Sequence, residues 1–372
     1  MTDKKPSIPF LDLKKINKSY KQKSNAIFSS FLDSGIYIKG NSVEKFENAF
    51  ATFCGVKYCI GTGNGLDALT LILKGYVELG KINIGDEVIV AANTYIATIL
   101  SVIHAGLKPI LIEPNEETFN IGIDHIKKSI SPRTKVILPT HLYGQLAPMK
   151  DINALAKEKG FLVISDAAQA HGAKDKHGNT SGSLCDASAF SFYPTKNLGA
   201  LGDGGAITTN NEDLAEIVRS LGNYGTSSKY ENEYIGFNSR LDEIQAAFLF
   251  EKLLHLDGDN IKRRNIAKLY ISCIKNDKIK LPSWDGSDAH VFHLFVVRVK
   301  NRKHFCDYLT NSGIGYLIHY PIPPHRQKAL AEFSYYCLPI TERIHEEVIS
   351  IPLNIGLKDS EIEEIIKTLN DY

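Results

Sequence analysis

The sequence predicts an α/β protein with a large domain built on a mainly parallel, seven-stranded sheet covered by helices, and a smaller C-terminal α+β domain. Short β-rich runs alternate with helix-length segments between residues 55 and 210, which is typical of a parallel sheet. After about residue 256 the pattern changes to a mixture of strands and helices. The hydrophobic fraction of 43% and a net charge of +1 exclude a disordered chain.

Each predicted strand is a short run rich in β-branched or aromatic residues. The seven runs lie at 58–61, 87–91, 109–112, 135–138, 161–165, 187–192 and 206–209. Helical segments are predicted between several of them, at 66–74, 95–105 and 149–159. A glycine-rich loop separates the last two runs, so we expect the strand order to depart there from simple alternation.

The second half of the chain continues with a long helical pattern through Leu241, Ile244, Ala247 and Phe248. The DGDN sequence at 257–260 predicts a break, followed by a helix at about 261–274. The tail predicts strands at 291–299 and 315–320 and helices at 303–309 and 359–369. We therefore place the domain boundary between 1–255 and 256–372, which agrees with a chain of 372 residues and about 150 residues per domain.

Composition and motifs exclude several function classes. The charge balance of 43 basic to 42 acidic residues argues against a nucleic-acid partner. No stretch is apolar enough to span a membrane, and the N-terminus lacks the apolar region of a secretory signal. The six cysteines and twelve histidines show no metal-binding spacing, so no metal site is predicted. Scattered, unpaired cysteines favour a cytoplasmic location.

Three segments place chemically useful residues where predicted strands end. The sequence GTGNGLDAL at 61–69 opens a helix after a strand, and free N–H groups at such a terminus favour an anion such as phosphate. Leu66 stands where a dinucleotide fingerprint needs its third glycine, and an ordinary glycine-rich turn is the alternative interpretation. Asp166 ends an apolar strand, where it serves either as a helix cap or as the partner of a cationic ligand group.

The third segment runs from a buried strand through Pro194 to Lys196 and a glycine-rich loop. By itself a lysine is usually solvated, yet this position would desolvate the amine, and a neutral amine is required to attack a carbonyl. An anion cradle, a carboxylate and such a lysine together meet the needs of pyridoxal phosphate, which carries a phosphate, a pyridinium nitrogen and an aldehyde.

Further motifs extend this pattern along nearly the whole chain. They are IPFLDL at 8–13, Gly40-x-x-Val43-x-x-Phe46-Glu47, DAAQAHGA at 166–173, SFYPTK at 191–196, GFNSR at 236–240, QAA at 245–247, HYP at 319–321, His325 and IPL at 351–353. In these motifs, their order and their spacing, the sequence resembles the fold-type I, pyridoxal-phosphate-dependent sugar aminotransferases of the DegT/StrS family.

The resemblance implies a role for each matching residue. Lys196 is similar to the lysine that forms the Schiff base and moves the proton, and Asp166 to the carboxylate that pairs with the pyridinium N–H. The other cofactor contacts implied are Gln169 beside the phenolic oxygen, Tyr95 stacked on the ring, Ser191 with the backbone of Gly65 and Leu66 at the phosphate, and Asn238 supplied by the neighbouring subunit. An obligate homodimer with shared active sites follows from this last contact.

The resemblance also implies the substrates. Tyr193, His319 and Tyr320 match positions near a nucleotide-linked sugar, and Lys229 is a candidate to reach its pyrophosphate from the partner subunit. For His171, the sequence is equally consistent with a structural role and with a contact to a ligand. Many family members carry a hydroxyl residue where Leu66 stands. Together with the opening at 8–13, Leu66 resembles the branch that acts at C3 of the sugar.

We therefore expect transamination of a dTDP-linked 3-keto-6-deoxyhexose, of galacto or gluco configuration, with L-glutamate as amino donor. A C4 aminotransferase is the near alternative. A sugar dehydratase or a non-catalytic regulator of the same fold is the distant one, and the presence of Lys196 argues against both.

Overall fold

The computed structural model describes residues 6–372, and its centre is a seven-stranded sheet. The strands follow the predicted runs closely, so the α/β class and the seven-stranded, mainly parallel sheet are confirmed. They are β1 (Tyr58–Thr62), β2 (Glu87–Ala91), β3 (Lys108–Ile112), β4 (Thr134–Leu138), β5 (Leu162–Asp166), β6 (Ala187–Ser191) and β7 (Gly205–Thr209).

The strand order in this sheet is β1-β7-β6-β5-β4-β2-β3. All neighbours are parallel except that β7 is antiparallel to both β1 and β6. The departure from simple alternation therefore lies at the glycine-rich loop between β6 and β7, as the sequence predicts.

Thirteen α-helices and four short further strands complete the part of the chain between residues 6 and 372. The helices are α1 (Leu13–Asn17), α2 (Lys21–Ser34), α3 (Asn41–Cys54), α4 (Gly65–Glu78), α5 (Ile96–His104), α6 (Ile123–Ser129), α7 (Met149–Lys159), α8 (Glu212–Leu221), α9 (Glu243–Leu253), α10 (Leu256–Cys273), α11 (Arg302–Asn311), α12 (Pro339–Glu347) and α13 (Asp359–Asp371). The further strands are β8 (Thr226–Ser228), β9 (Glu231–Asn232), β10 (Phe295–Arg298) and β11 (Val348–Ile351). None of these helices is long and apolar enough to cross a lipid bilayer.

Successive side chains of a strand point to opposite faces of the sheet, and apolar clusters bury both faces. In β2, Val88 and Val90 pack into the cluster that α4, α5 and α8 cover, whereas Ile89 and Ala91 pack with Ile152 and Leu155 of α7 on the other side. Because both faces are covered, the carboxyl ends of the parallel strands are the part of the sheet that stays uncovered.

A separate apolar cluster forms in the C-terminal part of the chain, around α10, α11, α13, β10 and β11. Ile8 from the N-terminal segment packs into the same cluster and pairs with Ile314. The division at 255/256 stays a prediction.

Three predictions for this part of the chain are wrong in detail. The DGDN sequence does not break a helix, since α10 begins at Leu256 and runs through it. Asp257 and Asp259 lie in its first turn, where the helix dipole favours negative charge. The strand predicted at 291–299 is shortened to β10, because Phe292 takes a left-handed φ of 44°.

The strand predicted at 315–320 does not form. Only Leu317 pairs with Ser350, in a single bridge. The carbonyl of His319 accepts a hydrogen bond from the Tyr143 hydroxyl, and the His319 ring bonds the Ser350 hydroxyl, so this stretch is held by side chains instead of a ladder.

Candidate active site

A cavity of about 540 Å³ opens at the carboxyl edge of the sheet, where β5, β6 and the first turns of α4 and α5 meet the segment that follows α11. It brings together ten of the twelve residues that the sequence analysis selected. These are Gly65, Leu66, Tyr95, Asp166, Gln169, Ser191, Tyr193, Lys196, His319 and Tyr320.

One end of the cavity is the N-terminus of α4. The Asn64 side chain caps this helix by accepting from the backbone N–H of Asp67 at 2.8 Å. The N–H groups of Gly65 and Leu66 donate to no group in the described part of the chain. A Cβ on Gly65 would lie 2.8 Å from the Cβ of Ser191, so only glycine lets the helix start this close to β6. Two free donors at a helix N-terminus form a site for an anion.

Asp166 is buried at the end of β5 and lines the cavity. Its carboxylate accepts hydrogen bonds from the Thr98 hydroxyl at 2.7 Å and from the N–H of Ala168 at 3.1 Å. Burial raises the pKa of Asp166, and these two bonds and the charge of Lys196 act in the opposite direction. A carboxylate oxygen facing the cavity can accept a further donor, such as a protonated ring nitrogen.

Lys196 lies in the turn after β6, where its N–H donates to the carbonyl of Tyr193 at 2.9 Å. Desolvation lowers the pKa of its amine to about 8, with the charge of Asp166 opposing this fall. A lysine of ordinary pKa is roughly 0.3% neutral at pH 8, whereas this amine is about half neutral, as a nucleophile requires.

Gln169 connects the sheet side of the cavity with the C-terminal segment. Its side-chain oxygen accepts from the N–H of Tyr143 at 2.6 Å, and its amide nitrogen donates to the Tyr320 hydroxyl at 3.1 Å. The rings of Tyr320 and Tyr95 lie 5.0 Å apart between centroids. Tyr95 is 50% exposed, so one face of this aromatic is open to a ligand.

Two predicted residues lie outside this cavity. Asn238 is exposed and pairs through its backbone with Asn223. Lys229 lies between β8 and β9, with its amine 5.3 Å from the centre of the Tyr230 ring. The chain alone therefore does not bring either residue to Lys196. Both were expected to act from a partner subunit.

Several residues that line the cavity are not indicated by the sequence motifs. His293 enters from the C-terminal part, Thr140 from the loop after β4, and Asp203 from the glycine-rich loop between β6 and β7. Burial lowers the pKa of His293, so its ring is neutral. His171 does not line the cavity and packs against Phe190 and Phe192, with ring centroids 5.3 and 5.8 Å away.

These groups fit the three polar ends of pyridoxal phosphate. The two free N–H donors of Gly65 and Leu66 suit the phosphate, the Asp166 carboxylate suits a pyridinium N–H, and the half-neutral Lys196 amine suits the aldehyde. Among the described residues that line the cavity, Lys196 is the only lysine or arginine. No cluster of potential metal ligands occurs among residues 6–372.

Comparison with known proteins points to a family of aminotransferases. The sequence model of the DegT/DnrJ/EryC1/StrS aminotransferase family matches residues 18–370. A relative from Aneurinibacillus thermoaerophilus is named dTDP-3-amino-3,6-dideoxy-alpha-D-galactopyranose transaminase. It is 52% identical over 365 residues, which cover 98% of this chain and 99% of the relative.

Two solved structures are similar over almost the whole chain. S. venezuelae DesV, solved in complex with a ketimine intermediate, has a TM-score of 0.94 and 41% identity, with 98% of each chain covered. NtdA from Bacillus subtilis, solved with bound cofactor PMP, has a TM-score of 0.89 and 32% identity. That match covers 99% of this chain and 85% of the other.

Proposed function

Because the chain belongs to the DegT/DnrJ/EryC1/StrS aminotransferase family, we propose that it is a pyridoxal-phosphate-dependent enzyme that aminates C3 of a dTDP-linked 3-keto-6-deoxyhexose. The observation that carries this proposal is the single cavity in which Lys196, Asp166 and the free N–H groups of Gly65 and Leu66 meet. The product is a dTDP-3-amino-3,6-dideoxyhexose, and L-glutamate is the amino donor.

Pyridoxal phosphate supplies an aldehyde that takes up the amino group and a protonated ring that withdraws electrons from the reacting carbon. The chain's residues hold and move protons around it. Asp166 would accept the hydrogen bond that keeps the ring nitrogen protonated, and the Nζ of Lys196 would take a proton from the carbon that bears the amino group and deliver it to the carbon that comes from the cofactor's aldehyde. Gly65, Leu66 and Ser191 hold the phosphate, and Gln169 has a second amide hydrogen for the phenolic oxygen.

The 52% identical relative supports C3 as the position and galacto as the configuration, since its name specifies both. The test supplies the protein with glutamate and one of three sugars at a time. These are the galacto epimer of the dTDP-3-keto sugar, its gluco epimer and a dTDP-4-keto-6-deoxyhexose. We expect loss of the cofactor's yellow colour on adding glutamate, and amination at C3 of the galacto epimer. Amination at C4 would replace the proposal with its near alternative, and no response to glutamate would reject an aminotransferase.

The homodimer with shared sites is supported by an exposed apolar surface. Phe28 and Leu32 of α2 are 52% and 51% exposed, and Ile36, Tyr37 and Ile38 continue this surface after the helix. Contiguous exposed apolar side chains of this kind mark interaction sites. The cavity also offers one cationic side chain to ligands that carry a phosphate and a pyrophosphate, so donors from a second chain, such as Asn238 and Lys229, would complete it.

A mixing experiment tests the shared sites. Lys196→Ala and Asn238→Ala are each expected to be inactive alone, and the two are unfolded and refolded together in equal amounts. If each site takes Lys196 from one chain and Asn238 from the other, each mixed dimer regains one of its two sites. Since about half of the dimers are mixed, about a quarter of the wild-type number of sites is restored. No recovery, with mixed dimers present by mass spectrometry, would place both residues in the site of a single chain.

A further inference from the structure

Three buried threonines form a line of hydroxyl groups that ends on Asp166. The Thr98 hydroxyl lies 2.7 Å from a carboxylate oxygen of Asp166, and the Thr94 hydroxyl lies 2.7 Å from that of Thr98. Thr140 continues the line, with its hydroxyl 2.9 Å from that of Thr94. The exposed fraction is 5% or less for each threonine.

The charge of Asp166 sets the direction of these bonds. An ionised carboxylate only accepts, so the single proton of the Thr98 hydroxyl points to Asp166. Thr98 must then accept from Thr94, and Thr94 must accept from Thr140. All three O–H groups therefore point the same way, which strengthens each bond through the polarisation of its neighbour.

We propose that Thr140, Thr94 and Thr98 act as a polarised hydroxyl relay that keeps the Asp166 carboxylate charged and fixed in place. The three are positioning residues, since they act on the reaction through Asp166. The inference rests on the proposed function for its purpose, because a charged carboxylate is what holds a protonated ring nitrogen in the cavity.

The relay offsets the burial of Asp166, which by itself raises the pKa of that carboxyl. The titratable groups that face Asp166 from other elements are Lys196, whose charge lowers this pKa, and the hydroxyl of Tyr320, which stays protonated because burial raises its own pKa. The neutral rings of His293 and His319 line the same cavity. Thr98 is the largest of the hydrogen-bond contributions that oppose the burial.

The experiment titrates Asp166 by carbon-13 NMR in the full-length, cofactor-free chain labelled at aspartate carboxyls, with Asp166→Asn identifying the signal. Thr98→Val removes the hydroxyl at nearly constant volume, and we expect the pKa of Asp166 to rise by about 1 to 2, as loss of a hydrogen bond to a charged group predicts. Thr98→Ser keeps the hydroxyl and is expected to restore the wild-type pKa. An unchanged pKa in Thr98→Val would overturn the proposal.

Thr94→Val distinguishes a relay from a single hydrogen bond, because Thr94 does not touch the carboxylate. Loss of its polarisation is expected to raise the pKa of Asp166 by about 0.1 to 0.6. A shift in Thr98→Val with none in Thr94→Val would reject the relay. Thr94→Val also tests the relay if Thr98→Val does not fold.

Cofactor affinity gives a second, separate measurement. The dissociation constant of pyridoxal phosphate is expected to rise in the order wild type, Thr94→Val, Thr98→Val, with Thr98→Ser near the wild type. If the wild-type chain takes up no pyridoxal phosphate while the NMR shifts follow the expected order, the proposed function fails and the relay stands.

Discussion

The two walls of the cavity are built differently. The sheet wall consists of Gly65, Leu66, Asp166 and Ser191, which lie at strand ends or at the start of α4, and of Lys196, which lies in the turn after β6 that its backbone N–H closes onto Tyr193. The C-terminal wall consists of His293, His319 and Tyr320. Side-chain hydrogen bonds hold its 319–320 segment, one from Gln169 to Tyr320, one from Tyr143 to His319 and one between His319 and Ser350.

Because of this difference, we expect the sheet wall to carry out the proton transfers and the C-terminal wall to fit the substrate. Groups that transfer protons must keep their geometry, and secondary structure gives them a rigid support. A wall held by a few side chains can change its residues or move without disturbing the sheet. We therefore expect changes in the sheet wall to affect turnover, and changes in the C-terminal wall to affect binding of the sugar nucleotide.

The largest expected effect comes from the sheet wall. Lys196→Ala removes the amine that we propose moves the proton, and proton transfer by a positioned group contributes about 10²- to 10⁴-fold, apart from the loss of covalent attachment. We expect no measurable turnover in a glutamate-dependent assay, with an unchanged circular dichroism spectrum. Turnover within tenfold of the wild type would contradict the assignment of the chemistry to the sheet wall.

The second effect is a pH dependence of the same residue. The neutral amine is the attacking form, and desolvation lowers the pKa of Lys196 to about 8, so the rate at which the cofactor-free chain captures pyridoxal phosphate should rise up to about pH 8 and then level off. Stopped-flow absorbance measures this rate. A rate that keeps rising toward pH 10.5 would show an ordinary, solvated lysine.

The smallest effect is expected in the C-terminal wall. Tyr320→Phe removes the hydroxyl that accepts from Gln169, and one such hydrogen bond is worth about 0.5 to 1.5 kcal/mol, or roughly 2- to 12-fold. We expect this change in the KM of the sugar nucleotide, with the glutamate half-reaction unaltered. Tyr335→Phe is the matched control, since Tyr335 is 70% exposed and outside the cavity. If kcat fell steeply in Tyr320→Phe and not in Tyr335→Phe, the division of roles between the two walls would be contradicted.

The two walls also differ in how far the sequence predicts them. Asp166 and Lys196 follow predicted strands, and parallel strands end at one edge, so their meeting follows from the pattern. Thr98 carries no signal in the sequence, because Thr94 lies before the N-cap of α5 and no helical spacing joins the two hydroxyl residues. His293 could not be foreseen, since it reaches the cavity only through packing of the C-terminal part.

Sequence reasoning also failed where polar residues have two structural uses. The aspartates of the 257–260 segment favour a turn or the first turn of a helix, and the buried side chains of α10 that follow decide for the helix. Asn238 and Lys229 show the limit of a single chain. Their predicted roles depend on a second subunit, and no local pattern gives its position.

The most direct test of the role proposed for Lys196 compares it with Lys252. Desolvation lowers the pKa of both amines to about 8, but the Lys252 amine donates to the carbonyl of Gly199 at 2.7 Å and lies outside the cavity. Borohydride fixes pyridoxal phosphate covalently to the lysine that holds it, and peptide mapping by mass spectrometry locates that lysine. We expect the label on Lys196 and none on Lys252, whereas labelling of Lys252 or of several exposed lysines would contradict the assignment of the Schiff base to Lys196.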